Sequence, residues 1–279
     1  MRTGRWTKMT TGTTQSPSMN SNSADSSLET IGNWEVLRLE EVDSTNSFLM
    51  RERQHLLHSK RVVLAATQKQ GRGRLGRSYV SLPGRHLTFS AVIHPKLPLA
   101  KLQGVALPVG IAVAHVLERK ISGIRLKWPN DVLVGNRKIC GILVETTDVE
   151  SIPHPILILG IGIDTEGTVS EFPEELRKVL TTLEEESGSL TSREELFREL
   201  LEELENILDE FWKEGRKPLL EEWMTRASVA GKRVRCLNGS TTEGIFEDLT
   251  PEGFPRIRKD DGSLYIHLSG DLILDPKDV

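Results

Sequence analysis

The chain has 279 residues, of which 37% are hydrophobic and 27% are charged, proportions ordinary for a soluble globular protein that buries a core. Its 40 acidic residues outnumber its 36 basic residues, which excludes a global basic field for nucleic acid, so any anion site must arise from local clustering. Two distant cysteines, apolar runs shorter than the roughly 20 residues of a membrane span, and no secretory signal predict a reduced cytoplasmic protein that does not enter membranes.

The first half of the chain predicts a polar tail followed by alternating strands and helices. Residues 1–33 are rich in Ser, Thr and Asn and bury too little to offset ordering, so a disordered tail is expected. A helix is expected from Asp43 or Ser44 as the N-cap. Strands are predicted over 34–42, 61–67 and 86–94, and an apolar helix over 101–119 with a kink at Pro108.

The second half predicts further strands, two helices and a small β domain. Strands are expected over 124–128, 139–146 and 156–164, with Gly135-Asn136 as the turn before the second. Residues 193–213 carry apolar side chains on one face and acidic ones on the other, which predicts an amphipathic helix with a solvated acidic face. After a helix that ends near Arg226, glycine-rich turns separate short strands, a pattern typical of a β-barrel of about 50 residues.

The loop at 71–77 reads Gly-Arg-Gly-Arg-Leu-Gly-Arg and formally matches the dinucleotide fingerprint GxGxxG. No helical periodicity follows it, and no acidic residue lies about 20 positions on, so a Rossmann site is excluded. Glycines admit close backbone approach and guanidinium groups bind phosphate or carboxylate, which favours an anion-binding loop over an exposed basic turn. Nucleic-acid binding is disfavoured because Tyr79 is the only nearby aromatic residue.

A second constellation, Lys127-Trp128-Pro129-Asn130-Asp131, lies at a strand break. Pro129 ends ladder pairing and is expected to place Asn130 and Asp131 in a bend that points into a site. Lys127 and the later Lys138 would neutralise an anionic reacting centre, and Asp131 would orient a lysine or hold Mg²⁺. The alternate glycines of Gly160-Ile161-Gly162 would leave room for a flat ligand or a crossing backbone.

These segments together resemble the biotin protein ligase family. Residues 43–46 are similar to its VDSTN motif, 71–77 to GRGRxGR, 127–131 to KWPND, 137–145 to RKxxGILVE and 160–164 to GIGIN, all in the family's order. The resemblance implies an α+β fold, in which helices flank a mixed, class II synthetase-like sheet and an SH3-like β-barrel follows. It implies a catalytic domain over 34–226 and the barrel domain over 227–279.

The resemblance also implies a two-step ligase reaction. Biotin and MgATP would give biotinyl-5′-AMP and pyrophosphate, and a lysine of the biotin carboxyl carrier domain of acetyl-CoA carboxylase, or of a related carboxylase, would then accept the biotin. The charged residues of these segments suit this reaction, since a carboxylate that attacks an α-phosphate needs positioning and cations rather than a nucleophilic side chain. The mixed anhydride must also be shielded from water, which suits a glycine-hinged loop.

Site residues follow from the matching positions. The biotin ligands would be Ser44, Thr45, Asn46, Gln68, Gly71, Arg72, Lys138 and Gly141. The ATP and adenylate ligands would be Arg74, Arg77, Tyr79, Lys127, Asn130 and Asp164. The catalytic residues would be Arg74, Lys127, Asp131 and Lys138, with Asp131 also a candidate Mg²⁺ ligand.

Three positions depart from the family pattern, and two other functions remain open. Tyr79 replaces a usual Trp, Asp164 replaces the Asn of GIGIN, and Lys69-Gln70 adds a cation to the loop. A lipoate or octanoate ligase or transferase of the same superfamily, or a biotin-binding sensor without catalysis, are the alternatives. The polar stretch before Trp34 does not suit the winged helix of repressor members, so no operator binding is expected, and the enzyme is expected to be a monomer or homodimer.

Overall fold

The structure, a computed structural model, describes residues 28–275 and residue 277. The disordered tail predicted for 1–33 therefore lies mostly outside the described residues. Its last part is ordered, because β1 (Leu28–Ile31) pairs antiparallel with β2 (Trp34–Val42). Ile31 is buried in the core, and this burial explains why the folded part begins before Trp34.

An eight-stranded mixed sheet forms the centre of the fold, in the order β1-β2-β3-β4-β8-β7-β6-β5. Only β2 and β3 pair in parallel; every other neighbouring pair in this sheet is antiparallel. The remaining strands are β3 (Arg61–Gln68), β4 (Leu87–Ile93), β5 (Ile124–Lys127), β6 (Asp131–Val134), β7 (Arg137–Thr147) and β8 (Ile156–Ile163). The predicted mixed sheet is thus confirmed.

The segment after Pro129 differs from the sequence prediction. Asn130 lies in a turn as expected, but Asp131 begins strand β6 instead of lying in the bend. Strand β6 pairs with β5 and β7, so Lys127 faces Asp131 across the β5–β6 ladder and Asp131 faces Gly141 across the β6–β7 ladder. This three-stranded arrangement brings the second constellation next to strand β8.

Helices cover both faces of the sheet. They are α1 (Thr45–Arg51), α2 (Ala106–Glu118), α3 (Leu183–Ser187), α4 (Arg193–Lys213) and α5 (Lys217–Ala227). Helix α4 packs on the sheet through Phe197, whose ring lies 5.2 Å from that of Phe89. On the opposite face, Leu49 of α1 packs with Leu37, Val63 and other strand residues.

The kink predicted at Pro108 is wrong, since α2 runs unbroken from Ala106 to Glu118. Pro108 lies in the first turn, where its missing N–H has no intrahelical partner to lose. The stretch Leu99–Glu118 is long and apolar enough to cross a membrane by length and composition, but 61% of its apolar window is buried in the protein. Such burial is typical of a core helix.

A second sheet of five antiparallel strands follows α5, in the order β12-β11-β10-β9-β13. Its strands are β9 (Arg233–Asn238), β10 (Ser240–Leu249), β11 (Pro255–Arg258), β12 (Leu264–Ile266) and β13 (Asp271–Leu274). The arrangement is compatible with the predicted SH3-like domain, although no ladder closes it into a barrel within the described residues. The Trp128 indole N–H donates to the Gly253 carbonyl at 3.0 Å and thereby joins this sheet to the β5–β6 turn.

Candidate functional site

A cavity of about 200 Å³ opens where the two sheets meet. Its walls come from the start of α1, the end of β3, the Gly/Arg loop, the β5–β6 turn, the glycines of β7 and β8, and strand β13. The predicted site residues that line it are Ser44, Thr45, Asn46, Gln68, Arg72, Arg74, Arg77, Tyr79, Lys127, Asn130, Asp131, Lys138 and Gly141. Predicted site residues up to 97 positions apart in sequence, from Ser44 to Gly141, therefore share one cavity.

The Gly/Arg loop folds as a small hairpin, which we call the Gly/Arg hairpin (residues 71–79). Its backbone is closed by hydrogen bonds from the Tyr79 N–H to the Gly71 carbonyl at 2.8 Å and from the Gly73 N–H to the Arg77 carbonyl at 2.7 Å. A Cβ on Gly71 would overlap the Tyr79 carbonyl oxygen, so glycine is required there. Gly71 does not line the central cavity; it lies in the wall of an adjoining outer one.

Neutral polar groups, beside the paired charges of Arg72 and Glu145, fill one end of the cavity. The backbone N–H and the hydroxyl of Thr45 lie 2.8 and 3.2 Å from Gln68 Oε1. The Ser90 hydroxyl lies 2.6 Å from Thr45 Oγ1 and 2.5 Å from Asn46 Oδ1, and the Asn46 amide donates to Glu145 Oε2 at 2.8 Å. This end can offer directed hydrogen bonds to a small uncharged polar group.

Cations surround the other end. Lys138 Nζ lies 2.6 Å from Asp131 Oδ1, and the Asn130 amide donates to the Ile142 carbonyl at 2.5 Å. Arg74 donates to the Gly270 carbonyl at 3.2 Å, and burial lowers the pKa of its guanidinium. A guanidinium remains charged despite such burial, so this end of the cavity suits an anion.

The Tyr79 ring lies against the glycines of β7 and β8. A Cβ on Gly162 would stand 2.6 Å from Tyr79 Cζ, and one on Gly141 would stand 2.9 Å from Lys138 Nζ. Gly160 likewise leaves room for the Asn46 side chain, whose Oδ1 a Cβ would overlap. The room predicted at the alternate glycines is real, but protein side chains occupy it.

Asp164, the predicted nucleotide ligand, has its closest contacts inside the protein. It does not line the cavity; it is buried behind Tyr79, whose hydroxyl donates to Asp164 Oδ1 at 2.6 Å. His86 Nδ1 lies 3.1 Å from the same oxygen. Burial, followed by the Asp164 charge, raises the pKa of the Tyr79 phenol well above its ordinary value. The Asp164 carboxylate thus contacts the tyrosine and is separated from the cavity by it.

Strand β13 supplies residues that the sequence analysis did not anticipate. Asp271 and Ile273 line the cavity, and Asp271 forms an ion pair with Arg77 in which Arg77 Nη1 donates to Oδ1 at 3.1 Å. The Arg77 hydrogen bond and charge lower the pKa of Asp271. These two residues are 194 positions apart, and no local pattern around Asp271 marks it as a site residue.

No cluster of three or more His, Cys, Asp or Glu side chains suited to a metal occurs among the residues that the structure describes. The cavity has two carboxylates in its wall, Asp131 and Asp271, and each already faces a cation. Mg²⁺ in nucleotide sites is held by one or two carboxylates together with substrate phosphates. The donor set therefore fits Mg²⁺ that arrives with a nucleotide, and it does not form a cage of its own.

Comparisons with known proteins agree with this geometry. The sequence profile of the family described as "Biotin/lipoate A/B protein ligase family" matches residues 39–164. The bifunctional ligase/repressor BirA of Escherichia coli is 31% identical over 236 residues, which are 84% of this chain and 72% of that protein. The biotin–[acetyl-CoA-carboxylase] ligase of Mycobacterium tuberculosis is 29% identical over 199 residues, 69% of this chain and 71% of that protein.

A solved biotin protein ligase structure also resembles this chain. The biotin protein ligase from Aquifex aeolicus in complex with biotin and ATP is 30% identical with a TM-score of 0.73, and the match covers 86% of this chain and 98% of that one. The chain spans 63% of the length of the two Bacillus ligase/repressor proteins that it matches.

Proposed function

Because this chain belongs to the biotin/lipoate A/B protein ligase family, we propose that it activates biotin with ATP as biotinyl-5′-AMP, releasing pyrophosphate, and transfers the biotin to a lysine of a carrier domain, releasing AMP. The observation that carries the proposal is the single cavity in which a neutral hydrogen-bonding end adjoins a cationic end. Biotin has the same two-part chemistry, since its uncharged ureido ring is joined by an aliphatic chain to a carboxylate. ATP then adds a polyphosphate at the charged end.

The neutral end supports binding of the ureido ring. Thr45 and Gln68 are already hydrogen-bonded to each other at 2.8 and 3.2 Å, so their polar atoms are oriented before any ligand arrives. Such pre-organisation reduces the entropy lost on binding. Ser44 and Asn46 from α1, the hairpin backbone at Gly71 and Arg72, and Gly141 complete the proposed biotin ligands.

The cationic end supports the adenylation step. A carboxylate that attacks an α-phosphate brings two anions to about 4 Å, where they repel by about 4 kcal/mol at an effective dielectric of 20. Lys127 and Lys138 lie in the wall of the cavity and would balance that charge. Arg74 would lie over the acyl-phosphate and retain the intermediate, while Arg77, Tyr79 and Asn130 would contact the nucleotide.

Mg²⁺ would enter with the nucleotide phosphates. Asp131 lines the cavity within the reach of Lys138 and is the proposed carboxylate ligand. The bound ion would screen phosphate charge, and the chain's own lysines and arginines would position the reacting groups. Asp164, predicted as a nucleotide ligand, would act on the nucleotide through Tyr79, whose hydroxyl donates to its carboxylate.

The acceptor is proposed to be a carboxylase carrier domain. The support is the name of the Mycobacterium tuberculosis relative, biotin–[acetyl-CoA-carboxylase] ligase, with which this chain shares 29% identity. We also propose that residues 34–226 form the catalytic domain and 227–279 a second one. In support, α5 ends at Ala227 and the second sheet begins at Arg233.

Exchange of radiolabelled pyrophosphate into ATP tests the proposal. The protein is expected to catalyse exchange that depends on biotin and does not respond to lipoate or octanoate, because the cavity's fixed polar end matches a ureido group. Exchange with lipoate in place of biotin would support the lipoate ligase alternative. Biotin binding without exchange, and without streptavidin-detectable labelling of a carrier domain, would support the sensor alternative.

A further inference from the structure

The Tyr79 hydroxyl points away from the cavity and is held by a buried carboxylate. It donates at 2.6 Å to Asp164 Oδ1, while the ring lies over Gly162 of β8. Asp164 is only 3% exposed, and its backbone is fixed on both sides, by the Asp164 N–H to the Ile139 carbonyl and by the Leu183 N–H to the Asp164 carbonyl, each at 2.9 Å. The acceptor of the tyrosine hydroxyl is therefore carried by a buried backbone that is hydrogen-bonded on both sides.

Asp164 lacks the arginine or lysine partner that a buried carboxylate usually has. No ion pair with either residue type is found for it among the described residues; His86 Nδ1 at 3.1 Å and the Tyr79 hydroxyl are its neighbours. His86 is itself buried, stacks on Phe172 with ring centroids 5.5 Å apart, and makes no well-formed hydrogen bond through either ring nitrogen. A buried carboxylate needs compensating donors, so the tyrosine hydroxyl is important to it.

The same tyrosine closes the Gly/Arg hairpin. Its N–H donates to the Gly71 carbonyl at 2.8 Å, and its carbonyl leaves no room for a side chain at Gly71. The backbone of Tyr79 therefore closes the base of the hairpin, and its phenol connects the hairpin to Asp164 and strand β8 of the sheet. Arg72, Arg74 and Arg77 all lie between Gly71 and Tyr79, so this contact fixes the base of the hairpin that carries them, while Glu145, the Gly270 carbonyl and Asp271 contact the three arginine side chains.

We propose that Asp164 is a positioning residue that holds the Gly/Arg hairpin over the site through the Tyr79 hydroxyl. Two positions that depart from the family pattern, Tyr79 and Asp164, contact each other and act as one unit. The consequence for the reaction rests on the function proposed above: a loosened hairpin would release the adenylate earlier. The anchoring itself is a property of the ligand-free chain and can be measured without any reaction.

Hydrogen exchange of the ligand-free protein tests the anchoring. In Tyr79→Phe, the amides of Gly73, Arg77 and Tyr79 are expected to exchange about tenfold faster than in the unmodified protein, as for loss of one charge-assisted hydrogen bond. Tyr265→Phe is the matched control, because it removes the hydroxyl of the chain's other tyrosine, 3.5 Å from His267 Nδ1 in the second sheet. The control is expected to leave hairpin exchange unchanged.

Substitutions of Asp164 separate anchoring from general damage. Asp164→Asn keeps an oxygen that accepts from the phenol and is expected to retain most of the protection, whereas Asp164→Ala is expected to lose it. Tyr79→Phe combined with Asp164→Ala is expected to add nothing beyond the larger single effect, because both remove one bond. Hairpin exchange in Tyr79→Phe equal to that of the control, or additive effects in the double variant, would refute the proposal.

The functional consequence is measured separately. The half-life of preformed biotinyl-5′-AMP on Tyr79→Phe is expected to fall about tenfold, with the change at Tyr265→Phe within twofold. If the unmodified protein forms no adenylate, the proposed reaction is wrong, while the hydrogen-exchange result still decides whether Tyr79 anchors the hairpin. If adenylate forms and Tyr79→Phe retains it as long as the unmodified protein does, hairpin anchoring does not control release.

Discussion

Lys138→Ala is the substitution that most directly examines the charge balance of the site. Lys138 lies in the cavity wall with its Nζ 2.6 Å from Asp131 Oδ1, and its side chain is 34% exposed. Removal of the lysine deletes one positive charge and leaves the Asp131 carboxylate facing the incoming phosphates. The adenylation step should therefore lose an attraction and gain a repulsion.

The size of the effect follows from the geometry. Two unit charges about 4 Å apart interact by about 4 kcal/mol at an effective dielectric of 20. Since a third of the side chain is exposed to solvent, we reduce this to about 2–3 kcal/mol, which corresponds to a rate loss of roughly 30- to 150-fold. The fold should survive, because the lysine is at the surface of a cavity and not in the core.

Single-turnover formation of biotinyl-5′-AMP measures this step, and the thermal unfolding midpoint checks the fold. Lys213→Ala is the matched control: it also removes a lysine from a carboxylate pair, with Asp209 at 2.9 Å, but it lies 72% exposed near the end of α4. The control should keep its adenylation rate. Adenylation by Lys138→Ala within fivefold of the unmodified protein would refute the charge-balance argument.

Three further substitutions probe other parts of the site. Arg74→Gly should shorten retention of the adenylate and biotinylate lysines of bystander proteins, seen by streptavidin blotting; an active variant that labels only its carrier would contradict the assignment. Asp271→Asn removes a carboxylate whose pKa lies below its ordinary 3.8, so it should lower the free energy of unfolding in urea at pH 7 by up to about 1 kcal/mol. The stability difference between this variant and the unmodified protein should shrink as the pH falls through that pKa, and a pH-independent difference would exclude the ion pair as its cause. The added methyl group of Gly160→Ala would overlap Asn46 Oδ1 and should lower the free energy of unfolding in urea by about 1–3 kcal/mol. Gly110→Ala is the control and should not destabilise the protein, because the nearest atom to its new Cβ is 3.5 Å away. Equal urea midpoints for the two variants would show that Asn46 can move to make room.

Strong periodicity made parts of the fold predictable from sequence. Helix α4 begins and ends at the predicted residues 193 and 213, because its apolar stripe runs for the full length of the helix. Strand β2 likewise matches its predicted range of 34–42. Strand β6 was missed since its four residues begin with Asp131 directly after a proline turn, where local propensity favours a bend.

Residues of the cavity wall were predictable where a motif was local and were missed where only the fold brings them to the cavity. The Gly/Arg loop and the segment from Lys127 to Asp131 can each be recognised from the composition of a few consecutive residues. Asp271 lies in an ordinary short strand, and only the packing of the second sheet brings it to Arg77. Asp164 was predicted at the nucleotide from its position in the motif at 160–164, and nothing in the sequence indicates that the Tyr79 hydroxyl bonds to it.

The position of β13 also has a consequence for biosynthesis and protein engineering. This strand is the last one described, yet its Asp271 and Ile273 complete the cavity wall. During translation, the chain must be synthesised through β13 before the cavity wall can be completed, so a product terminated before β13 would lack part of the wall. Fusion partners are accordingly better attached ahead of β1, where they would not crowd the strand that finishes the pocket.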